Sequence, residues 1–256
     1  MIRLGNRHSV SIDPTLVGPR SRLSMLGGFQ LWAGELPIAL TSGSQRLLAL
    51  LALQGRRSKR PQVAGTLWPE ANEDRANACL RSSLTRLLGT DRGLLDISSS
   101  DLGLAQDIRV DLDDSRALAH RLLGDAGSLR REDTAAAVVD VLSAELLPGW
   151  YDDWVLFQAE GWRQLRLHAL EALADRLVTE SRYGEAAIAA LAATNVDPLR
   201  ESAWAALIRV QLAEHNQSEA VREFERYRRL LRSELDLEPT PQLHALLEEM
   251  APVTVR

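Results

Sequence analysis

With 256 residues, 45% of them hydrophobic, the chain can bury a substantial core and is long enough for two domains. Its single cysteine, Cys79, excludes an intrachain disulfide and a cysteine-rich zinc site. The net charge of −5 is unevenly spread, with 14 basic and 9 acidic side chains in residues 1–110 against 16 and 26 in residues 111–256, the division expected of a nucleic-acid-binding half joined to a protein-binding half.

Residues 1–21 show no periodicity and read as a flexible tail. They are polar and interrupted by Pro14, Gly18 and Pro19, so no signal peptide is expected, and the longest apolar run, residues 47–53, is too short to span a bilayer. The expectation is a cytoplasmic protein with no membrane association. From Arg22 three short antiparallel strands are predicted, at residues 23–26, 29–33 and 38–40, separated by the Gly27-Gly28 turn and a turn at Gly34. A helix over residues 45–53, capped by Thr41 or Ser44, is too continuously apolar to be solvated and should be buried. Gly55 ends it, and the basic run Arg56, Arg57, Ser58, Lys59, Arg60 precedes Pro61, which suits the first turn of a short helix over residues 61–68.

Pro69 breaks the chain before residues 73–88, EDRANACLRSSLTRLL, the stretch that organises the front half. At helical spacing Ala76, Leu80, Leu84 and Leu87 share one narrow arc that must face a core. The opposite face carries Arg75, Ala78, Arg81, Ser82, Thr85 and Arg86, in which arginines that can bond guanine bidentately alternate with hydroxyls and a small side chain that permits close approach. Short helix, tight connection and longer helix is the order of a helix-turn-helix. After Gly89, residues 94–97 and 102–105 flank the polar tip Ser98-Ser99-Ser100-Asp101 and form a hairpin, the wing.

The predicted fold is therefore mainly α with small β. Residues 22–110 form a winged helix-turn-helix with an N-terminal antiparallel sheet and a C-terminal wing hairpin, and residues 111–256 an all-α, tetratricopeptide-like repeat domain. In this second half residues 113–123 and 131–146 read as helices, Pro148-Gly149 as a break, and residues 160–180 as a long amphipathic helix. ESRYGEA at 180–186 is answered by EHNQSEA at 214–220, an offset of 34 that matches the tetratricopeptide period. Each helix pair is too small to bury its own apolar face, so successive pairs must stack. Asp197-Pro198 and Glu238-Pro239 punctuate them. Asp152 and Asp153 read as a helix cap in a packed loop between Trp150 and Trp154 rather than a catalytic carboxylate pair, and the tryptophans as core residues.

TSGSQRLLALLAL and TLWPEANEDRANACLRSSLTRLL resemble the DNA-binding domain of SARP-type bacterial transcriptional activators, related to OmpR-like effector domains, over residues 23–110. The match departs from the usual pattern at Leu88, where such helices often carry arginine; Arg86 fits. LLPGWYDDWV, RLHALEALADRL, RYGEA, DPLRESAW and YRRLLRSELDLEPTPQL resemble the bacterial transcriptional activator domain over residues 110–250. Larger relatives continue into an ATPase module, so the chain reads as a short, minimal member. The resemblance implies binding to promoter direct repeats by two protomers side by side, a homodimer on double-stranded DNA, with contact to RNA polymerase holoenzyme.

The expected base-reading residues are Arg81, Ser82, Thr85 and Arg86, supported by Arg75 and Asn77, with Arg56, Arg57, Lys59 and Arg60 on phosphates. No enzyme, cofactor or metal site is expected. His8, His120, His168, His215 and His244 are scattered without HxxxH or HExxH spacing, no GxxxxGK loop or GxSxG elbow occurs, and Cys79 reads as a space-filler. The alternative is a tetratricopeptide-like interaction adaptor without sequence-specific DNA binding. A small-molecule sensor would require a cavity in the repeat domain, which no sequence feature indicates.

Overall fold

A computed structural model describes residues 21–55, 57–124 and 129–248; the expected N-terminal tail lies outside them but for Ser21. The chain folds as two compact units, one comprising Ser21–Ser24 with Phe29–Val110 and the other Met25–Gly28 with the residues from Asp111 onward.

In the first unit, β1 (Ser21–Ser24), β2 (Gln30–Ala33) and β3 (Leu36–Ile38) pair antiparallel, as their alternation predicts, although the third strand ends at Ile38 rather than beginning there. The sheet has a fourth member, β7 (Ile108–Val110), which lies parallel to β1 in the order β3-β2-β1-β7. Helix α1 (Ser42–Gln54) buries Leu47, Leu48, Leu50 and Leu51. Thr41 occupies its N-cap position but makes no capping bond, its hydroxyl donating to Ser44 Oγ instead. Strand β4 (Ser58–Lys59) follows, then α2 (Arg60–Leu67) with Pro61 in its first turn, and α3 (Glu73–Thr90). Arg46 Nη2 donates to Leu67 O at 2.9 Å, tying α1 to the carbonyl end of α2, where a cation complements the helix dipole. A Cβ on Gly43 would come within 2.9 Å of Ser83 Oγ, so α1 and α3 approach closely there. Strands β5 (Leu95–Ile97) and β6 (Asp101–Leu104) form the expected hairpin, and β4 joins its other side in the order β4-β6-β5.

The second unit begins with α4 (Asp111–Leu123), whose first turn carries Asp111, Asp113 and Asp114 and whose buried stripe is Leu112, Ser115, Ala119 and Leu122. The Asp111 carboxylate accepts from Met25 N and Leu26 N, fastening the Met25–Gly28 turn, in which Gly27 and Gly28 adopt φ of 75° and 141° that side chains disfavour. Residues 131–146, predicted as one helix, form instead a 3-10 turn (Arg131–Thr134) and a short α5 (Ala137–Ser143). The reason is Asp133, a buried carboxylate held bidentately by Arg121 at 2.7 and 2.8 Å and bonded by Arg130 N at 3.0 Å. This geometry holds its pKa below the usual carboxylate range and stops a helix from running through.

Helix α6 (Asp153–Thr179) starts seven residues before the predicted Glu160, with Asp152 at its N-cap position though without a side-chain capping bond. It pairs with α7 (Tyr183–Val196), and α8 (Glu201–Ala213) with α9 (Gln217–Leu235); α10 (Pro241–Glu248) packs on α8. The 34-residue offset is real in the backbone: the turns inside the two pairs place Ser181 (φ 58°) and His215 (φ 64°) in the left-handed conformation at equivalent positions. It is real in the ion pairs too, since Arg163–Asp197 and Asp175–Arg209 each span it. Ala186, Ala189, Ala190 and Ala193 are fully buried on α7 and let its neighbours approach closely. Trp162 and Trp204 are core residues, as expected of the tryptophans, but Trp32, Trp68, Trp150 and Trp154 are only half-buried.

Tyr227 is buried on α9, donates to Leu199 O at 3.3 Å, and burial together with Glu201 and Asp197 pushes its pKa up to about 12. Ionisation therefore favours the unfolded chain once pH exceeds the ordinary tyrosine value near 10, and stability should fall between there and about pH 12. Urea titrations from pH 9 to 11 should show a shallower alkaline decline for Tyr227→Phe than for the unsubstituted protein; identical declines would contradict the assignment.

Candidate nucleic-acid interface

Helix α3 is positioned from its first turn and from beneath. Asn72 caps it by accepting from Arg75 N at 3.0 Å, with Glu73 and Asp74 in the first turn complementing the dipole. Ala76, Leu80, Leu84 and Leu87 are buried, together with Ser83, against α1 and α2. Consequently the other face points outward: Arg75, Ala78, Arg81, Ser82, Thr85 and Arg86 are exposed, Asn77 and Cys79 half-buried. Among the described residues, no side-chain hydrogen bond or ion pair engages the guanidiniums of Arg75, Arg81 and Arg86; at helical periodicity Arg75 and Arg86 fall together at one edge of the outward arc and Arg81 at the other.

The hydroxyls on this face differ. Thr85 Oγ1 donates to Arg81 O at 2.9 Å, so its proton is already used by the helix and it offers a partner only lone pairs and a methyl group. Ser82 makes no such bond and can donate or accept. The mixture is two-sided: forks that recognise guanine, an adaptable hydroxyl, and a methyl suited to thymine.

The basic run behaves less uniformly. Arg56 lies outside the described residues. Arg57 is exposed and paired with Asp96 on β5 at 2.5 Å, an ion pair in solvent that a phosphate could replace. Lys59 is exposed with no ion pair among the described residues. Arg60 is half-buried: its Nη2 donates to Ser98 O at 3.0 Å and its backbone N to Ser100 O at 3.1 Å. It fastens the start of α2 to the wing tip, which Ser98, Ser100 and Asp101 brace through Asp101 N to Ser98 Oγ (3.0 Å) and Ser100 Oγ to Asp101 Oδ2 (2.6 Å). Arg60 therefore shapes the wing first, with part of its donor set already committed.

Asn72, Asp96 and the wing-bracing role of Arg60 were not singled out from sequence. Asn immediately before two acidic residues and an apolar-periodic run is a readable cap signal, whereas Asp96 and Ser98 meet the basic run only through tertiary pairing. Among the described residues, no group of histidine, cysteine or acidic side chains could hold a metal ion, and no helix is long and apolar enough to cross a membrane.

A winged helix-turn-helix precedes stacked helical pairs in this chain, and known proteins share both parts. The family model described as bacterial transcriptional activator domain matches residues 95–250. The chain belongs to the bacterial transcriptional activator domain family. It is 28% identical over 266 residues to the regulatory protein AfsR of Streptomyces griseus, covering 97% of this chain and 26% of AfsR. It is 29% identical over 244 residues to AfsR of Streptomyces coelicolor, covering 90% of this chain and 24% of that protein, so it spans about a quarter of the length of these relatives. Among solved structures, Mycobacterium tuberculosis EmbR in complex with a low-affinity phosphopeptide shares the fold with a TM-score of 0.70 at 22% identity, over 90% of this chain and 64% of that one.

Proposed function

We propose that this activator works in the cytoplasm by laying α3 in the major groove of promoter DNA, with residues 22–110 as the DNA-binding domain and residues 111–256 as the activator domain. The observation that carries this reading is the outward face of α3, where three guanidiniums, unpaired among the described residues, stand beside exposed Ser82 and Thr85. Arg81 and Arg86 read guanines, Ser82 adapts to neighbouring edges, Thr85 offers its methyl group and lone pairs, and Arg75 and Asn77 support the helix start. Arg57 and Lys59, with Arg56 and the remaining donors of Arg60, hold phosphates, which fix register without reading sequence. Two protomers bind direct repeats head to tail, since inverted sites would demand a two-fold axis between them. The acidic helical unit then contacts RNA polymerase holoenzyme.

The positioning role can be separated from the reading role by salt. Lys59→Ala should weaken binding to every sequence alike and reduce the slope of log K against log salt by about 1, because one fewer counterion is released. A titration at four salt concentrations on specific and scrambled duplexes measures this. A Lys59→Ala protein that keeps the full slope would remove Lys59 from the interface. If no duplex is selected at any salt, the helical unit acting as a protein-interaction adaptor becomes the better reading.

A further inference from the structure

Between the turn at residues 145–151 and the first half of α6 lies a cleft of about 380 Å³, the cavity a small-molecule sensor in the repeat half would need. Leu146, Leu147, Trp150, Leu156 and Trp162 supply apolar wall, and Arg166 is part of the same wall.

Arg166 is only 5% exposed. Among the described residues its guanidinium makes one hydrogen bond, Nη1 to Ser143 O at 2.5 Å, which caps the C-terminal end of α5, and its buried Nε has no partner. Among the described residues no carboxylate is within hydrogen-bond or ion-pair distance of it. The neighbouring cation, Arg163, is by contrast committed to Glu160 and Asp197 at 2.8 Å each, and Glu160 is further held by Gln164. Glu145, an exposed wall residue, acts on Arg166 only from a distance. A buried guanidinium with donors to spare is costly until an anion satisfies it, and its planar fork matches a carboxylate.

We propose that this cleft binds a small organic monocarboxylate, the carboxylate on Arg166 and the apolar body against Trp150, Leu156 and Trp162. One cation free of any carboxylate partner among the described residues, beside apolar wall, selects a singly charged ligand with a hydrocarbon or aromatic body, and Glu145 and Glu160 on the rim disfavour a second negative charge. The turn that forms the wall is fastened by Leu147 N to Met25 O at 2.8 Å and Gly27 N to Glu145 O at 2.7 Å, so a bound ligand rests on a hydrogen-bonded frame. The inference stands on the helical unit alone, whatever DNA the other unit reads.

The test uses the full chain with phenylacetate, benzoate and hexanoate, and with phenylacetamide as the uncharged counterpart. Tryptophan fluorescence and thermal unfolding are followed up to about 10 mM probe. At least one carboxylate should give a saturable fluorescence change and a higher Tm, with phenylacetamide at least tenfold weaker or silent. Glu145→Gln should tighten binding several-fold by removing the repelling charge. Arg166→Leu also uncaps α5 and can fail to fold, so the deciding variant is Leu156→Glu, at a position 48% exposed. It should weaken binding by roughly tenfold or more, by placing a like charge on the wall. Silence from all three carboxylates, equal binding of the amide, or indifference to Leu156→Glu would overturn the assignment.

Discussion

Arg81→Ala is expected to cost about 1–3 kcal/mol of specific DNA binding, roughly a 5- to 150-fold loss, while binding to unrelated duplexes changes far less. Arg81 is exposed on α3 and, among the described residues, unpaired, so the substitution removes no intrachain contact, and alanine is at least as good a helix former. The protein should therefore fold as before and fail only at discrimination. Arg81→Lys sharpens the distinction. It keeps the charge but loses the two-pronged fork, so salt dependence should persist while the preference at one base pair collapses. Competition mobility-shift titrations against duplexes altered one pair at a time measure both quantities. An Arg81→Ala protein with unchanged selectivity would show that the arginine face reads nothing.

Trp204→Ala should produce the largest stability loss, about 3–5 kcal/mol, a large share of the 5–15 kcal/mol typical of a folded domain. Three contacts converge on this side chain. The indole is 3% exposed on α8, lies 5.5 Å from the Tyr227 ring of α9 at 30°, and donates from Nε1 to Pro198 O at 2.8 Å. Arg226 also sits over the ring at 5.6 Å. Alanine would leave a cavity between two helices and orphan the carbonyl at the junction of the two pairs. Trp204→Phe keeps an aromatic neighbour for Tyr227 and should lose less, mainly the hydrogen bond and part of the packing. Urea unfolding followed by circular dichroism ranks the three proteins. A Trp204→Ala protein within about 1 kcal/mol of the parent would refute the view that this residue pins the pairs together.

Elements whose signals are local were legible in the sequence. Helix α3 follows from the arc of Ala76, Leu80, Leu84 and Leu87, and it runs two residues past Leu88, to Thr90. The wing was legible because a polar tip separates two apolar segments. The 34-residue repeat was legible as text and returned as matching backbone turns. Strands β4 and β7 were not, because two or three residues carry no alternation and their partners are remote: Ser58 faces Leu102, and Ile108 faces Ser21. The break in residues 131–146 hid behind an apolar run at helical spacing, since the buried Asp133–Arg121 pair that interrupts it joins two separate elements.

The same limit divides the candidate interface. The outward face of α3 follows from helical periodicity alone, so its side chains could be named in advance. The basic run could not be resolved that way: its text gives four like charges, whereas the fold gives Arg57 to Asp96 and Arg60 to the wing tip and leaves Lys59 without an ion pair among the described residues. The cleft beside Arg166 left no trace in the sequence, because its walls come from a turn and one stripe of α6 that no repeat or motif marks as related.

The most direct measurement is selection of bound duplexes from a random double-stranded pool by the full chain at two salt concentrations. If α3 reads the major groove, a motif repeated head to tail should be enriched, more weakly bound at the higher salt, and lost with Arg81→Ala. A pool that emerges with no enriched sequence and no dependence on salt would contradict DNA reading by this helix.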